Sequence, residues 1–82
     1  MKIYQFNDKS NLVGERVKLR RDEMGLSQIA LAAQLQVNGV NLTRDAIGKI
    51  ESGKRFVADF EALYLAKVLK VDLMWLLTGE ES

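Results

Sequence analysis

Apolar side chains recur in this chain at helical spacing in five short segments, each bounded by residue types that begin or end helices. No other feature constrains the fold as much. In Asn11–Met24, Val13, Val17 and Met24 fall near the helical period, while Glu15, Arg16, Lys18, Arg20, Arg21, Asp22 and Glu23 take most of the other positions. Asp8 or Ser10 is placed to cap the start of this helix, and Gly25 to supply its stop. Ser27 caps a second predicted helix, Gln28 to about Gln36, with Leu31, Ala32 and Leu35 as its stripe. Thr43 caps a third, Arg44 to Ser52, in which Ala46, Ile47 and Ile50 repeat that stripe before Gly53. Asp59 caps a fourth, carrying Ala62, Leu65, Ala66 and Leu69. Asp72 caps a short fifth with Leu73, Trp75, Leu76 and Leu77, closed by Gly79.

Helices shorter than about 12–15 residues are marginal alone in water, so all five must share one core. The expected fold is all-α, a compact five-helix bundle over residues 11–79, with an N-terminal extension (1–10) and a short C-terminal tail (80–82). Ile3-Tyr4-Gln5-Phe6 has extended character, but no second strand is evident to pair with it.

The chain lacks cysteine and histidine. A disulfide framework, a thiolate nucleophile and the usual neutral-pH general base are therefore ruled out. No enzyme activity, metal site or cofactor is expected. Twelve Lys and Arg against eleven Asp and Glu leave a formal charge of only +1, so a polyanion partner must be argued from where the charges sit. The apolar runs fall far short of the roughly 20 residues of a bilayer span, and Met1–Phe6 contains no signal-like apolar stretch. A cytoplasmic protein with no membrane partner is expected.

The second and third helices are short, amphipathic, adjacent and separated by a turn, the outline of a helix-turn-helix. Gly25-Leu26-Ser27-Gln28 with Leu31-Ala32, then Ile47-Gly48-Lys49-Ile50-Glu51-Ser52-Gly53-Lys54-Arg55, resembles the Xre family of DNA-binding proteins. That family includes the phage Cro proteins and lambdoid repressors. The tail Leu65-Ala66, Leu69, Val71 and Trp75-Leu76-Leu77 is similar too, so the resemblance runs from about Val13 to Thr78. It implies a transcription regulator, repressor-like, that places helix 44–52 in the major groove of double-stranded DNA, as a homodimer on a near-palindromic operator. The other reading is a protein-interaction module on the same fold, such as an antitoxin or a phage accessory factor.

The resemblance assigns roles residue by residue. Leu31, Ala32, Leu35, Ile47 and Ile50 are the seam between the two helices. Arg21 and Glu51 match positions that pair across the first and third helices. Arg44, Asp45 and Lys49 match base-contacting positions, and their chemistry fits: Arg and Lys reach guanine, and Asp accepts from cytosine. Asp45 and Lys49 equally form an i, i+4 pair that would help any surface helix. Gln28, Thr43, Ser52, Lys54 and Arg55 are the candidate phosphate contacts. Gly48, costly inside a helix, reads either as a close approach to DNA or as a tolerated small residue.

One departure stands out. The turn Gln36–Leu42 is longer than the family's usual 3–4 residues, and Gln36 stands where a glycine is expected. Gly39 or Asn41 is left to provide a positive φ. Val37, Val40 and Leu42 are too apolar for a free loop and are expected to pack, Val37 or Val40 against a second stripe at Ile29 and Ala33. Tyr64, Val68 and Trp75, with Ile3 and Phe6, are the candidate dimer contacts. Trp75 fits a core position equally well.

Overall fold

The computed structural model describes residues 6–80. It contains five helices in chain order: α1 (Gly14–Glu23), α2 (Gln28–Val37), α3 (Arg44–Glu51), α4 (Asp59–Leu69) and α5 (Leu73–Thr78). The expected inner stripes meet in one core. Val13, Val17, Leu31, Leu35, Ile47, Ile50, Leu65, Leu69 and Leu76 are almost fully removed from water. The all-α bundle expected from spacing alone is the one observed.

Two helix starts are made as expected. The Ser27 hydroxyl accepts from Ala30 N at 3.0 Å, and Thr43 Oγ1 accepts from Ala46 N at 3.1 Å. The start of α1 differs. Neither Asp8 nor Ser10 caps it; Asn11 Oδ1 accepts from Gly14 N at 2.8 Å. Asp8 is used elsewhere, with Asn7, in a two-residue turn where both take positive φ and Phe6 and Lys9 exchange backbone hydrogen bonds. Short polar side chains tolerate that conformation best after glycine. For α4 the cap residue is Ala58, not Asp59, because the Glu61 carboxylate folds back to accept from Ala58 N at 3.0 Å. Asp72 occupies the N-cap of α5 but makes no side-chain bond to the helix.

The long turn packs in part. Gly39, at φ 85°, reverses the chain so that Val40 N donates to Leu35 O at 2.9 Å; Asn41 does not take a positive φ. Val40 and Leu42 enter the core as expected. Val37 does not, and is 87% exposed. It closes α2, and two residues past Leu35 is about 200° around the helix, which points it away from the core. Ile29, 65% exposed, and Ala33 stay at the surface, and Val40 is instead swung back toward Leu35.

Side chains of α1 tie down the far end of the molecule. Arg20 Nε donates to Leu69 O at 2.8 Å, and Arg16 donates to Leu76 O at 3.4 Å, so each satisfies a carbonyl of α4 or α5. The closest approach is at Gly14, where a Cβ would lie 2.1 Å from Ile50 O and 3.2 Å from Glu51 O. Only hydrogen fits where α1 starts against α3. Gly14→Ala is expected to lower the urea midpoint with an unchanged slope, a loss of about 1–3 kcal/mol from overpacking.

Candidate nucleic-acid interface

Two apolar side chains, Ile47 and Ile50, seat α3 on the core with no exposed surface. Its orientation also rests on Glu51, whose side chain is only 5% exposed. A carboxylate so far from water needs answering charge. Arg21, from the last turn of α1, supplies it through Nε to Oε2 at 2.7 Å and Nη2 to Oε1 at 3.0 Å. Arg21 Nη1 also donates to Leu26 O at 2.8 Å, which holds the α1–α2 turn. These bonds to Glu51 push the guanidinium further up from its ordinary value. Removing either partner of such a pair costs about 3–5 kcal/mol because the other charge is stranded.

Gln28 joins the same cluster. Its amide Nε2 donates to Glu51 Oε1 at 3.0 Å, so the group expected to face a phosphate is committed inside the protein. Next to it, the first intrahelical bond of α2 is Leu31 N to Ser27 O, leaving the N–H groups of Gln28 and Ile29 ahead of the ladder.

On its solvent side α3 presents an open depression lined by Gln28, Arg44, Asp45, Gly48, Lys49, Ser52 and Lys54. Arg44 and Lys54 are exposed. Asp45 and Lys49 pair at 3.2 Å while remaining 81% and 59% exposed, an arrangement worth a few tenths of a kcal/mol. Ser52 Oγ donates to Lys49 O at 3.1 Å. Thr43 Oγ1 accepts from its own helix and keeps its proton for an outside partner. Gly48 lies in the floor of the depression. A Cβ there would sit 3.8 Å from the Gln28 amide, an ordinary contact, so nothing within the protein requires glycine.

Arg55, also a candidate phosphate contact, is paired within the protein. Its guanidinium forks onto Glu61, Nη1 to Oε1 at 2.9 Å and Nη2 to Oε2 at 3.2 Å, and also donates to Phe56 O. It fastens the α3–α4 loop to α4. Burial would raise the Glu61 carboxyl, but the bonds from Arg55 and Ala58 N outweigh it and hold the group below its usual value. With Glu51 and Arg55 both answered inside the protein, the depression keeps Arg44, Lys49 and Lys54 against Asp45. The local balance is positive, although the whole chain is nearly neutral.

Of the candidate dimer contacts, Val68 is buried in the core and is withdrawn from that role. Tyr64 and Trp75 are half-buried and pack against the core, with Lys67 Nζ 4.9 Å above the Tyr64 ring. Phe6 is 64% exposed, and Ile3 lies outside the described residues. Sequence reasoning missed Asn11, Gly14 and Glu61. Asn11 and Gly14 stand three apart, the spacing of a cap and the amide it accepts from, which was the one available signal. Among the described residues no helix is long and apolar enough to cross a membrane, and no group of acidic side chains is arranged to hold a metal ion.

The helix-turn-helix family profile matches residues 17–76. Among solved structures, the chain is similar to the P22 c2 repressor protein, determined in complex with synthetic operator 9T in the presence of Tl+. The identity is 30%, with 85% of this chain and 98% of that one covered at a TM-score of 0.71. It also shares its fold with the DNA-binding domain of BldD, at 20% identity, covering 89% and 99% of the two chains with a TM-score of 0.69. No curated protein matches.

The Arg55–Glu61 pair makes a pH prediction. A carboxyl held below its unfolded value binds fewer protons folded than unfolded, so its stabilisation is complete above the usual carboxylate range and is lost as pH falls through the folded value. Thermal melts are expected to weaken below about pH 4, and Glu61→Gln, less stable at neutral pH, is expected to show a shallower decline there.

Proposed function

The chain belongs to the helix-turn-helix family, of the Xre kind its sequence resembles, and from that premise we propose that it is a sequence-specific DNA-binding regulator of transcription, repressor-like in action. The observation that carries this is the outward side of α3, where Arg44, Gly48, Lys49 and Lys54 share one open depression on a helix whose inner side is locked to the core. In this reading α3 enters the major groove, and Arg44 and Lys49 contact base edges. Asp45 orients Lys49 or accepts from cytosine. Thr43, Lys54 and the leading N–H groups of α2 meet phosphates on either side. Gln28 acts by holding Glu51, with its second amide proton left for a phosphate, and Ser52 reaches one only by giving up its bond to Lys49 O. A module this small makes few contacts, so a homodimer on a near-palindromic operator, with half-sites about 34–36 Å apart, is the geometry that gives useful affinity. Tyr64, Trp75 and Phe6 remain candidate side chains for that contact.

The exposed apolar row Ile29, Ala33 and Val37 on α2 favours a second reading, a protein-docking module. It is distinguished by mobility shift at low salt, where such a module retards no duplex. The DNA reading requires binding that falls steeply with salt, because each phosphate contact releases counterions.

Sites selected from random duplexes give the preferred sequence. Against it, Arg44→Ala and Lys49→Ala are each expected to lose about 1–3 kcal/mol of binding while random-duplex affinity falls much less; equal losses on both duplexes would refute base reading. Gly48→Ala should behave differently in its two readouts. The free protein gains up to about 1 kcal/mol of stability from better helix propensity, while affinity for the selected site drops because a methyl group now stands between the α3 backbone and the bases.

A further inference from the structure

Asn11 lies outside every helix and outside the proposed DNA-contacting face, yet its amide touches three separate parts of the chain. Oδ1 accepts from Gly14 N at 2.8 Å. Nδ2 donates to Ile50 O at 3.0 Å, in the last turn of α3, and to Arg55 O at 2.7 Å, in the loop that follows. Both amide protons are thereby spent on the end of the proposed reading helix and its exit. Beside it, Gly14 lets the start of α1 come against the same Ile50 carbonyl, and Ser10 N donates to Gly53 O at 2.8 Å. The segment from Ser10 to Gly14 is a strap across the carboxyl end of α3.

We propose that Asn11 is a positioning residue that sets the angle of α3 for base reading. The proposal rests on the DNA-binding function above. The packing of Ile47 and Ile50 is non-directional, so it holds α3 down without choosing its heading. Arg21 and Gln28 both grip α3 through one residue, Glu51. Asn11 holds it through a second, at Ile50 O. It acts at the opposite end of α1, on Gly14, seven residues before Arg21 and about 10 Å away along the helix axis. Both attachments grip the last turn of α3, so any rotation moves its first turn most. Arg44 lies about 10 Å from that grip, and a swing of about 10° displaces it by about 2 Å, beyond the roughly 0.5 Å that bidentate base contacts tolerate.

The test separates the cap from the strap. Asn11→Ser keeps an oxygen that accepts from Gly14 N but, with a shorter side chain and a single hydroxyl proton, does not bridge both carbonyls; Asn11→Asp, of the same size, keeps the cap and turns an anion toward the two carbonyls. Each is measured at a temperature where its circular dichroism is fully native, and Asn11→Asp stands alone should the serine variant not fold. Residual dipolar couplings of α3 N–H vectors against those of α4 read the helix angle. Binding to the selected site and to random duplex reads the consequence. Expected are a rotated α3, a selected-site affinity down about tenfold or more, and an unchanged random-duplex affinity and salt slope. An unrotated α3 would overturn the proposal, as would selected and random affinities that fall together, which is what mere loss of stability produces. If the wild-type protein prefers no duplex, the DNA-binding function fails instead, and the dipolar couplings alone decide whether Asn11 orients α3.

Discussion

Glu51 closes α3, and its carboxylate is almost wholly removed from water. That burial is tolerable only because Arg21 meets both oxygens and Gln28 adds a third bond. Through those contacts the end of α1, the start of α2 and the end of α3 become one rigid corner. An ionic contact of this kind is poor evidence for overall stability, since an apolar replacement of equal volume often does as well. Its value is directional. Apolar packing keeps α3 on the core, whereas the fork of a guanidinium on a carboxylate prescribes a distance and an orientation.

The same division of labour recurs across the molecule. Arg55 on Glu61 holds the loop that leaves α3, and Glu61 at the same time starts α4 through Ala58 N. Arg16 and Arg20 answer carbonyls of α5 and α4. Four of the arginines are therefore structural, and this explains how a nearly neutral chain presents a positive face. The buried and half-buried acids are matched inside, which leaves Arg44, Lys49 and Lys54 to outweigh Asp45 at the surface of α3. Net charge was a poor guide because it counts paired and unpaired groups alike.

Most of the fold was legible in the residues. Helix segments followed from apolar spacing, and the Ser27 and Thr43 caps and the glycine stops at Gly25, Gly53 and Gly79 stood where local chemistry placed them. Local rules failed where another bond or a small shift in a helix boundary competed with them. Asp59 did not cap α4 because Glu61 reached back to Ala58, and Arg55 left the proposed DNA-contacting face for Glu61. Val37 was expected inside on its apolar character, but it closes α2 about 200° around the helix from Leu35 and so faces solvent. Val68 was assigned to a surface that the angle between helices closed.

What the residues determined alone was therefore the approximate extent of each helix, which stripe is apolar and which side chains suit DNA. Only the tertiary structure decided which charges are spent internally, that Gly14 must lack a Cβ because Ile50 O lies against it, and that Asn11 straps the end of α3. Those outcomes depend on crossing angles and on contacts between residues some forty positions apart. Periodicity along a chain carries no information about such distances until the helices have packed.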